Sequence, residues 1–261
     1  MVSHRKTEAQ IEKMRRSGLI VWEAHQAAKA LIEPGVTTAQ IDAAVEGVIL
    51  GHGAVPLFKG VPGKVPFPAS TCISINEEVV HGIPGPRRLK EGDVVSVDIG
   101  VKLDGWCGDA AITHPVGTID PQARLLLEVT EGALRVAIRG IHPKKRWSQV
   151  ARDMEKYVKA AGLFVIEELV GHGIGQEMWE RPQVPNYATV TTSDFKLHPG
   201  MVLAVEPMVG VGTKKVRLMP DHWTYVTTDR SAAAHFEHTI AITEQGARVL
   251  TCGPNGEGWA L

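Results

Sequence analysis

The sequence predicts an α+β fold of two similar halves, each a layer of antiparallel strands covered by two helices. Three observations carry this expectation. The element patterns run two helices and then strands, twice over. The string Ile32-x-Pro34-x5-Gln40-Ile41 recurs without a gap as Ile141-x-Pro143-x5-Gln149-Val150, at an offset of 109, each copy in the turn between the two helices of its half. A chain of 261 residues with 44% hydrophobic and 22% charged residues can bury a substantial core and lies far from disordered compositions.

Taken in order, Thr7-x-x-Gln10 is a capping box opening a helix that carries Ile11, Met14, Leu19 and Val21 and ends before Pro34-Gly35. Thr37-x-x-Gln40 caps a second helix, with Ile41, Ala44, Val45, Val48 and Ile49 on one stripe. Residues 51–70, rich in Gly and Pro, read as a loop. Strands are expected over 94–101 and 106–113, turned at Asp104-Gly105, a dipeptide suited to positive φ. Asp120-Pro121 supplies the cap and first residue of a third helix, Ser148 begins a fourth, and Gly162 stops it where a left-handed residue is needed. Strand-like patterns cover 163–170, 201–205, 223–227 and 236–243. The expected organisation is an extended N-terminus over 1–6, a single domain over 7–252 and a tail over 253–261.

Composition excludes some classes of function. With 28 basic against 29 acidic residues the net charge is -1, so no global field favours DNA or a membrane surface, and neither is an expected partner. Cys72, Cys107 and Cys252 are odd in number and form no C-x-x-C pair, which argues against a disulfide framework or a thiolate zinc site and for a reducing compartment. The basic start runs into Thr7-Glu8-Ala9-Gln10 instead of an apolar stretch, and the apolar run over 21–32 is broken by Glu23, His25, Gln26 and Lys29. The cytoplasm is therefore the expected location.

Asp98 lies within Val-Val-Ser-Val-Asp-Ile-Gly-Val, where a carboxylate is costly unless solvated, paired or metal-bound. Across the expected hairpin Asp98 and Asp109 are diagonal neighbours on one face. From this hairpin alone, a pair of acids simply facing water stays equally open. Three further segments each place one lone ligand-type residue at or within an apolar strand. His172 follows the pattern over 163–170 in Gly171-His172-Gly173-Ile174-Gly175, Glu206 lies between Val205 and Pro207, and Glu237 precedes His238-Thr239-Ile240. Singly, each reads as a hydrogen-bonded His or a surface acid; the argument is their convergence. Four carboxylates and an imidazole form an oxygen-rich, thiolate-free set suited to two divalent ions about 3.5–4 Å apart, an arrangement that favours hydrolysis. A neighbouring Glu can shuttle the proton of the attacking water.

The chain also carries Ser70-Thr71-Cys72-Ile73-Ser74-Ile75-Asn76-Glu77, His81-Gly82-Ile83-Pro84, Asp93-x4-Asp98, Gly108-Asp109-Ala110-Ala111, Gly171-His172-Gly173-Ile174-Gly175, Pro182-Gln183-Val184-Pro185-Asn186-Tyr187, Gly200-Met201-x4-Glu206-Pro207 and Glu237-His238-Thr239. From about Thr7 to Thr251 it resembles the type I methionine aminopeptidases, of the pita-bread metallopeptidase fold. The resemblance implies two divalent ions per chain (Co, Mn, Fe or Zn). Asp98 and Glu237 would help hold one and His172 and Glu206 the other, with Asp109 and Glu237 bridging and Glu206 as general base. It implies that His81 contacts the substrate near the scissile amide, and that Cys72, Phe67, Met178 and Trp223 line a methionine pocket, where soft and aromatic groups suit a thioether. The implied substrate is a nascent polypeptide N-terminus with a small second residue, met at the ribosome. Lys214, Lys215 and Arg217 form a small basic loop that reads first as a solvated turn and second as a transient phosphate contact there.

One departure stands out: the family pattern places a histidine that hydrogen-bonds the substrate carbonyl where this chain has Trp179. An indole N–H donates but neither accepts nor titrates, so a working but slower enzyme is expected. Two rival readings follow from the resemblance. One is an X-Pro exopeptidase with the same five ligands, a class that usually carries an extra N-terminal domain, whereas the first helix here starts near Thr7. The other is a metal-free binding scaffold, which Trp179 keeps open.

Overall fold

Both predicted capping boxes form in the computed structural model, which describes residues 5–188 and 194–258. Thr7 accepts from the Gln10 amide while the Gln10 side chain accepts from the Thr7 amide, and Thr37 and Gln40 do the same. They open α1 (Glu8–Lys29) and α2 (Thr38–Gly51). The first half continues through β1 (Val55–Pro56), β2 (Cys72–Ile75), β3 (Glu78–Val80), β4 (Val94–Leu103) and β5 (Trp106–Pro115). Asp104 and Gly105 turn the β4–β5 hairpin at φ 50 and 80. β4 pairs antiparallel with β1, β2 and β5. Its alternation has a direct consequence. Val95, Val97, Ile99 and Val101 pack with Ile20, Val21, Ile41, Val45 and Ile49 of the two helices. Ser96, Asp98 and Gly100 therefore point the other way, toward the second half.

That half opens with α3 (Pro121–Gly140), capped by the Asp120 side chain, and α4 (Trp147–Ala160). Ten short strands follow: β6 (Phe164–Val165), β7 (Gly171–Gly173), β8 (Glu180–Val184), β9 (Val202–Val205), β10 (Met208–Gly210), β11 (Val216–Leu218), β12 (Tyr225–Thr227), β13 (Ala233–His235), β14 (His238–Thr243) and β15 (Gly246–Val249). They form a five-stranded sheet in the order β15-β14-β9-β7-β8 and a three-stranded sheet β13-β10-β6; β11 and β12 join β3 of the first half. Leu134, Ile138, Trp147 and Val158 of the helices pack with Leu203, Val205, Ile240 and Ile242 of the large sheet.

The internal repeat reaches beyond the ten residues that announce it. At the same offset of 109, α4 matches α2 end for end, Gln149 matches Gln40 as the third residue of its helix, and left-handed Gly162 (φ 75) matches Gly53 (φ 68). β6 matches β1 at that offset too, and each pairs antiparallel with a later strand of its own half.

Several expectations are corrected. The fourth helix starts at Trp147, before Ser148, because the Ser148 amide and hydroxyl both donate to Asp194 while Gln149 accepts from the Arg146 amide. The pattern over 163–170 is not one strand. β6 belongs to the sheet of β10 and β7 to the five-stranded sheet, so the chain must break between them. The later patterns start late, β12 at Tyr225 and β14 at His238, and Trp223 sits in a turn whose amide donates to Asp221. The loop over 51–70 holds apart from β1.

Residues 1–4 of the expected N-terminal stretch and 259–261 of the expected tail lie outside the described residues. Lys6 is buried, with its Nζ 2.6 Å from Glu180 Oε2. Among the described residues no helix is long and apolar enough to cross a membrane.

Candidate metal centre

Register sets the first pair of acids. In the β4–β5 ladder Asp98 faces Ala111 and Gly100 faces Asp109, which puts the two carboxylates diagonally on the face away from the helices. A seam then joins β5 to the second half. Thr239 Oγ1 donates to Asp109 O (2.8 Å) and accepts from Asp109 N (2.9 Å); Thr113 Oγ1 donates to His235 O (2.8 Å) and accepts from His235 N (2.9 Å). Between these clamps the Glu237 amide donates to Ala111 O (2.8 Å). Residues 235–239 thus run antiparallel along 109–113, bringing Glu237 to Asp109.

Glu206 follows β9, whose partners are β14 and β7, so it emerges between Glu237 and His172. Asn186 Nδ2 donates to its carbonyl (3.0 Å). His172 Nδ1 lies 2.9 Å from Gly173 O, and a carbonyl only accepts, so the proton is on Nδ1. Nε2 is left with its lone pair, 3.9 Å from Asp109 Oδ2 and 3.7 Å from Glu206 Oε1.

The structure brings all five sequence-predicted ligands into this one region. Among the described residues two sets of ligand atoms lie within 4.8 Å of one another, Asp109 with His172 and Glu237, and Glu206 with His235 and Glu237. Glu237 belongs to both sets. Asp98 belongs to neither, although its carboxyl and that of Asp109 shift each other's proton affinity. His235 was missed by sequence reasoning. The available signal was its position two residues before Glu237 in a strand-like stretch.

Burial dominates the electrostatics. It lifts Asp98 and Glu206 to about 7, although the nearby His235 and His172, respectively, oppose the shift. Burial raises Asp109 and Glu237 well above the carboxylate range, and neighbouring carboxylates push the same way. Asp98 Oδ1, Asp109 Oδ1, Glu237 Oε1 and His235 Nε2 are buried without a hydrogen-bond partner among the described residues. Buried acids with orphaned oxygens are expensive unless a cation meets them. Cys72 adds no thiolate, because burial raises its thiol well above the usual range. The donor set, oxygen plus imidazole nitrogen, therefore fits divalent ions.

A cavity of about 280 Å³ opens onto this centre, with His81, Asp98, Asp109, His172, Met178, Trp179 and Glu206 in its wall. Beside it Phe58, Phe67, Ala69, Cys72 and Met178 pack together, with Trp223 against them. Phe67 meets Trp223 edge-on at 5.3 Å and Phe58 at 6.3 Å. Cys72 is the ladder partner of Asp98, so this apolar cluster and the acids share a strand face. Gly100 keeps that face open, since a Cβ there would lie 3.2 Å from Met178 Cε and 3.4 Å from Asp109 Oδ1. Phe58 was not foreseen, and a lone aromatic in an aperiodic loop gives no signal.

His81 has a left-handed backbone (φ 59) and stands edge-on to Tyr225 at 6.1 Å. Burial sets its imidazole down to about 4, leaving it neutral at pH 7. Trp179 is 55% exposed and meets His172 edge-on at 6.5 Å, at the rim of the cavity.

The profile of metallopeptidase family M24 matches residues 12–244. Methionine aminopeptidase 1 of Bacillus subtilis is 46% identical over 246 residues, which span 94% of this chain and 98% of that one. Methionine aminopeptidase of Clostridium perfringens is 43% identical over 94% of this chain and 97% of its own length. The crystal structure of methionine aminopeptidase from Thermotoga maritima superposes with a TM-score of 0.92 at 43% identity, covering 96% of this chain and 99% of that one. Prolidase from Pyrococcus furiosus, at a TM-score of 0.75 and 23% identity, covers 95% of this chain and 65% of its own and shares the fold alone. The α+β pita-bread architecture implied by the sequence resemblance is the one found. The chain belongs to metallopeptidase family M24 and groups within it with the methionine aminopeptidases.

Proposed function

We propose that this chain hydrolyses the peptide bond after the N-terminal methionine of nascent proteins, with Asp98, Asp109, His172, Glu206 and Glu237 holding two divalent ions. The observation that carries this reading is adjacency. An apolar, sulfur-lined pocket built on Cys72 and Met178 stands on the strand face of Asp98, beside three buried acids with orphaned oxygens, Asp98, Asp109 and Glu237. Such a pocket suits a thioether side chain, and the acids lie where the following carbonyl would come to rest. When bound, the ions supply Lewis acidity toward that carbonyl and toward the attacking water.

The chain's own groups do the rest. Glu206, raised toward neutrality by burial, takes the proton of the water as general base. Neutral His81, in the cavity wall, orients the substrate at the scissile amide. Phe67, Cys72, Met178 and Trp223 exclude water from the methionine side chain, and Trp179 at the rim offers a single N–H to the substrate carbonyl. The oxygen-and-imidazole set accepts Co, Mn, Fe or Zn.

An assay of Met-Ala-Ser and X-Pro peptides across these metals, with Asp109→Asn as control, tests the reading. Release of methionine that the control loses is expected. Cleavage of X-Pro peptides alone would favour the rival exopeptidase, and a metal-supplemented chain without bound divalent ion would favour the scaffold.

The nascent-chain substrate locates the work in the cytoplasm, at the ribosome, with Lys214, Lys215 and Arg217 as the contact. Lys214 already pairs with Glu167 at 2.8 Å. Reversing the three charges should lower ribosome cosedimentation, and undiminished binding removes this contact.

A further inference from the structure

Lys6 precedes the first helix, yet its side chain ends beside the cavity. Its amide donates to Gly200 O (2.6 Å), and its Nζ meets Glu180 Oε2 at 2.6 Å, across 174 positions of sequence. Both side chains are largely buried. Glu180 begins β8 and lies in the cavity wall. Its other oxygen turns back along the chain, where Oε1 accepts from the amides of Gln176 (3.0 Å) and Glu177 (3.4 Å). The carboxylate therefore closes a ring over residues 176–180, and Met178 of the apolar pocket and Trp179 of the rim both stand on that ring. Gly175 makes the slot for the pair, since a Cβ there would collide with Glu180 Oε1 and lie 2.6 Å from Lys6 Cε. Glu177 and Trp179 are exposed, so hydrogen bonds rather than packing must shape this loop. A largely buried carboxylate that holds two amides is stable there only with a cation against it, and Lys6 supplies one.

We propose that Lys6 and Glu180 are positioning residues for the substrate: their ion pair straps the N-terminal segment to the 176–180 ring and sets where Met178 and Trp179 stand in the cavity. The proposal rests on the methionine reading above. Substrate binding then depends on a residue that precedes the first helix and lies outside the ligand set.

The test uses the full, metal-loaded chain. Lys6→Met keeps a long side chain and removes its charge. It should raise KM for Met-Ala-Ser about tenfold, the scale of a binding group displaced by a fraction of an ångström, with the bound-ion count equal to the parent's. A variant that merely folds less well loses active molecules, which lowers kcat and leaves KM where it was. Lys6→Arg, which restores a charged donor, should recover most of the loss. Glu180→Gln keeps an acceptor for the two amides but breaks the ion pair, so adding it to Lys6→Met should raise KM no further than either change alone. Isotope-labelled methionine methyls give a readout that needs no turnover: the Met178 signal should shift in Lys6→Met, while that of Met154, buried against the second-half core, stays in place. An active parent whose KM and Met178 signal are both unmoved by Lys6→Met overturns the strap and leaves the methionine reading standing. A parent that releases no methionine overturns that reading and the strap's task with it. If Lys6→Met fails to fold, Glu180→Gln alone decides, with the same rise in KM expected and an unchanged KM overturning the strap.

Discussion

Trp179 has one hydrogen to donate and no lone pair to offer, and it stands half-exposed beside His172, so in the proposed role of carbonyl donor it would act without titrating. Trp179→His should raise kcat for Met-Ala-Ser roughly 10- to 100-fold, the scale of a well-placed acid or oxyanion donor. An unchanged rate would show that the rim position contributes nothing to the reaction. Gly100 works by absence. Gly100→Ala puts a methyl 3.2 Å from both Met178 Cε and Leu57 Cβ, and the flexible thioether, the easier of the two to move, must retreat into the proposed methionine pocket. We expect KM for methionyl peptides to rise about tenfold, the worth of a methylene in an apolar pocket, at little cost in stability; an unaltered KM would separate this strand from the substrate. At this scale the proposed ligands were legible because each is a lone polar residue in an apolar stretch. His235 escaped because a histidine inside a strand is usually structural, and only its orphaned Nε2, a fact of three dimensions, marks it.

Gly18 tests how α1 is seated. A Cβ there would fall 2.0 Å from Leu250 O, just past β15, and Gly108 crosses the same spot from β5. Alanine raises helix propensity by about 1 kcal/mol over glycine, but overpacking against backbone costs about 1–3 kcal/mol, so the clash sets the sign. Gly18→Ala should therefore lower the urea midpoint, and a raised one would mean that α1 does not rest on Leu250. The helices were readable because capping boxes and a 3.6-residue stripe are local properties. The strands beyond β4, β5, β9, β12 and β14 were not. Most have two to five residues, too few for a period, and are held by neighbours distant in sequence. The misread stretch over 163–170 shows the same limit, since only Phe164 and Val165 of it form a strand and its apolar residues divide between two packing clusters.

The repeat at 109 announced two halves, but nothing in it says how they meet, because the seam is made of threonine hydroxyls and one ladder-like bond at Ala111. Behind that seam lie His25, which donates to Ala110 O at 2.9 Å, and His114; burial lowers them to about 4 and about 3 from 6.5. In the unfolded chain both bind protons near the ordinary value, so below pH 6.5 unfolding takes up protons and stability falls with pH. Each should withdraw roughly 1–2 kcal/mol between pH 6.5 and 5, and replacing either with Gln should flatten that slope; an unaltered acid limb in urea melts would contradict it. The seam bears finally on motion. The amides of Asp109, His235 and Glu237 all donate across it, so none can meet solvent while the halves stay joined. Their deuterium uptake should match that of the slowest core amides, because the same rupture that frees them scatters the ligands. On the proposed two-ion reading, losing the ions and parting the halves are then one event.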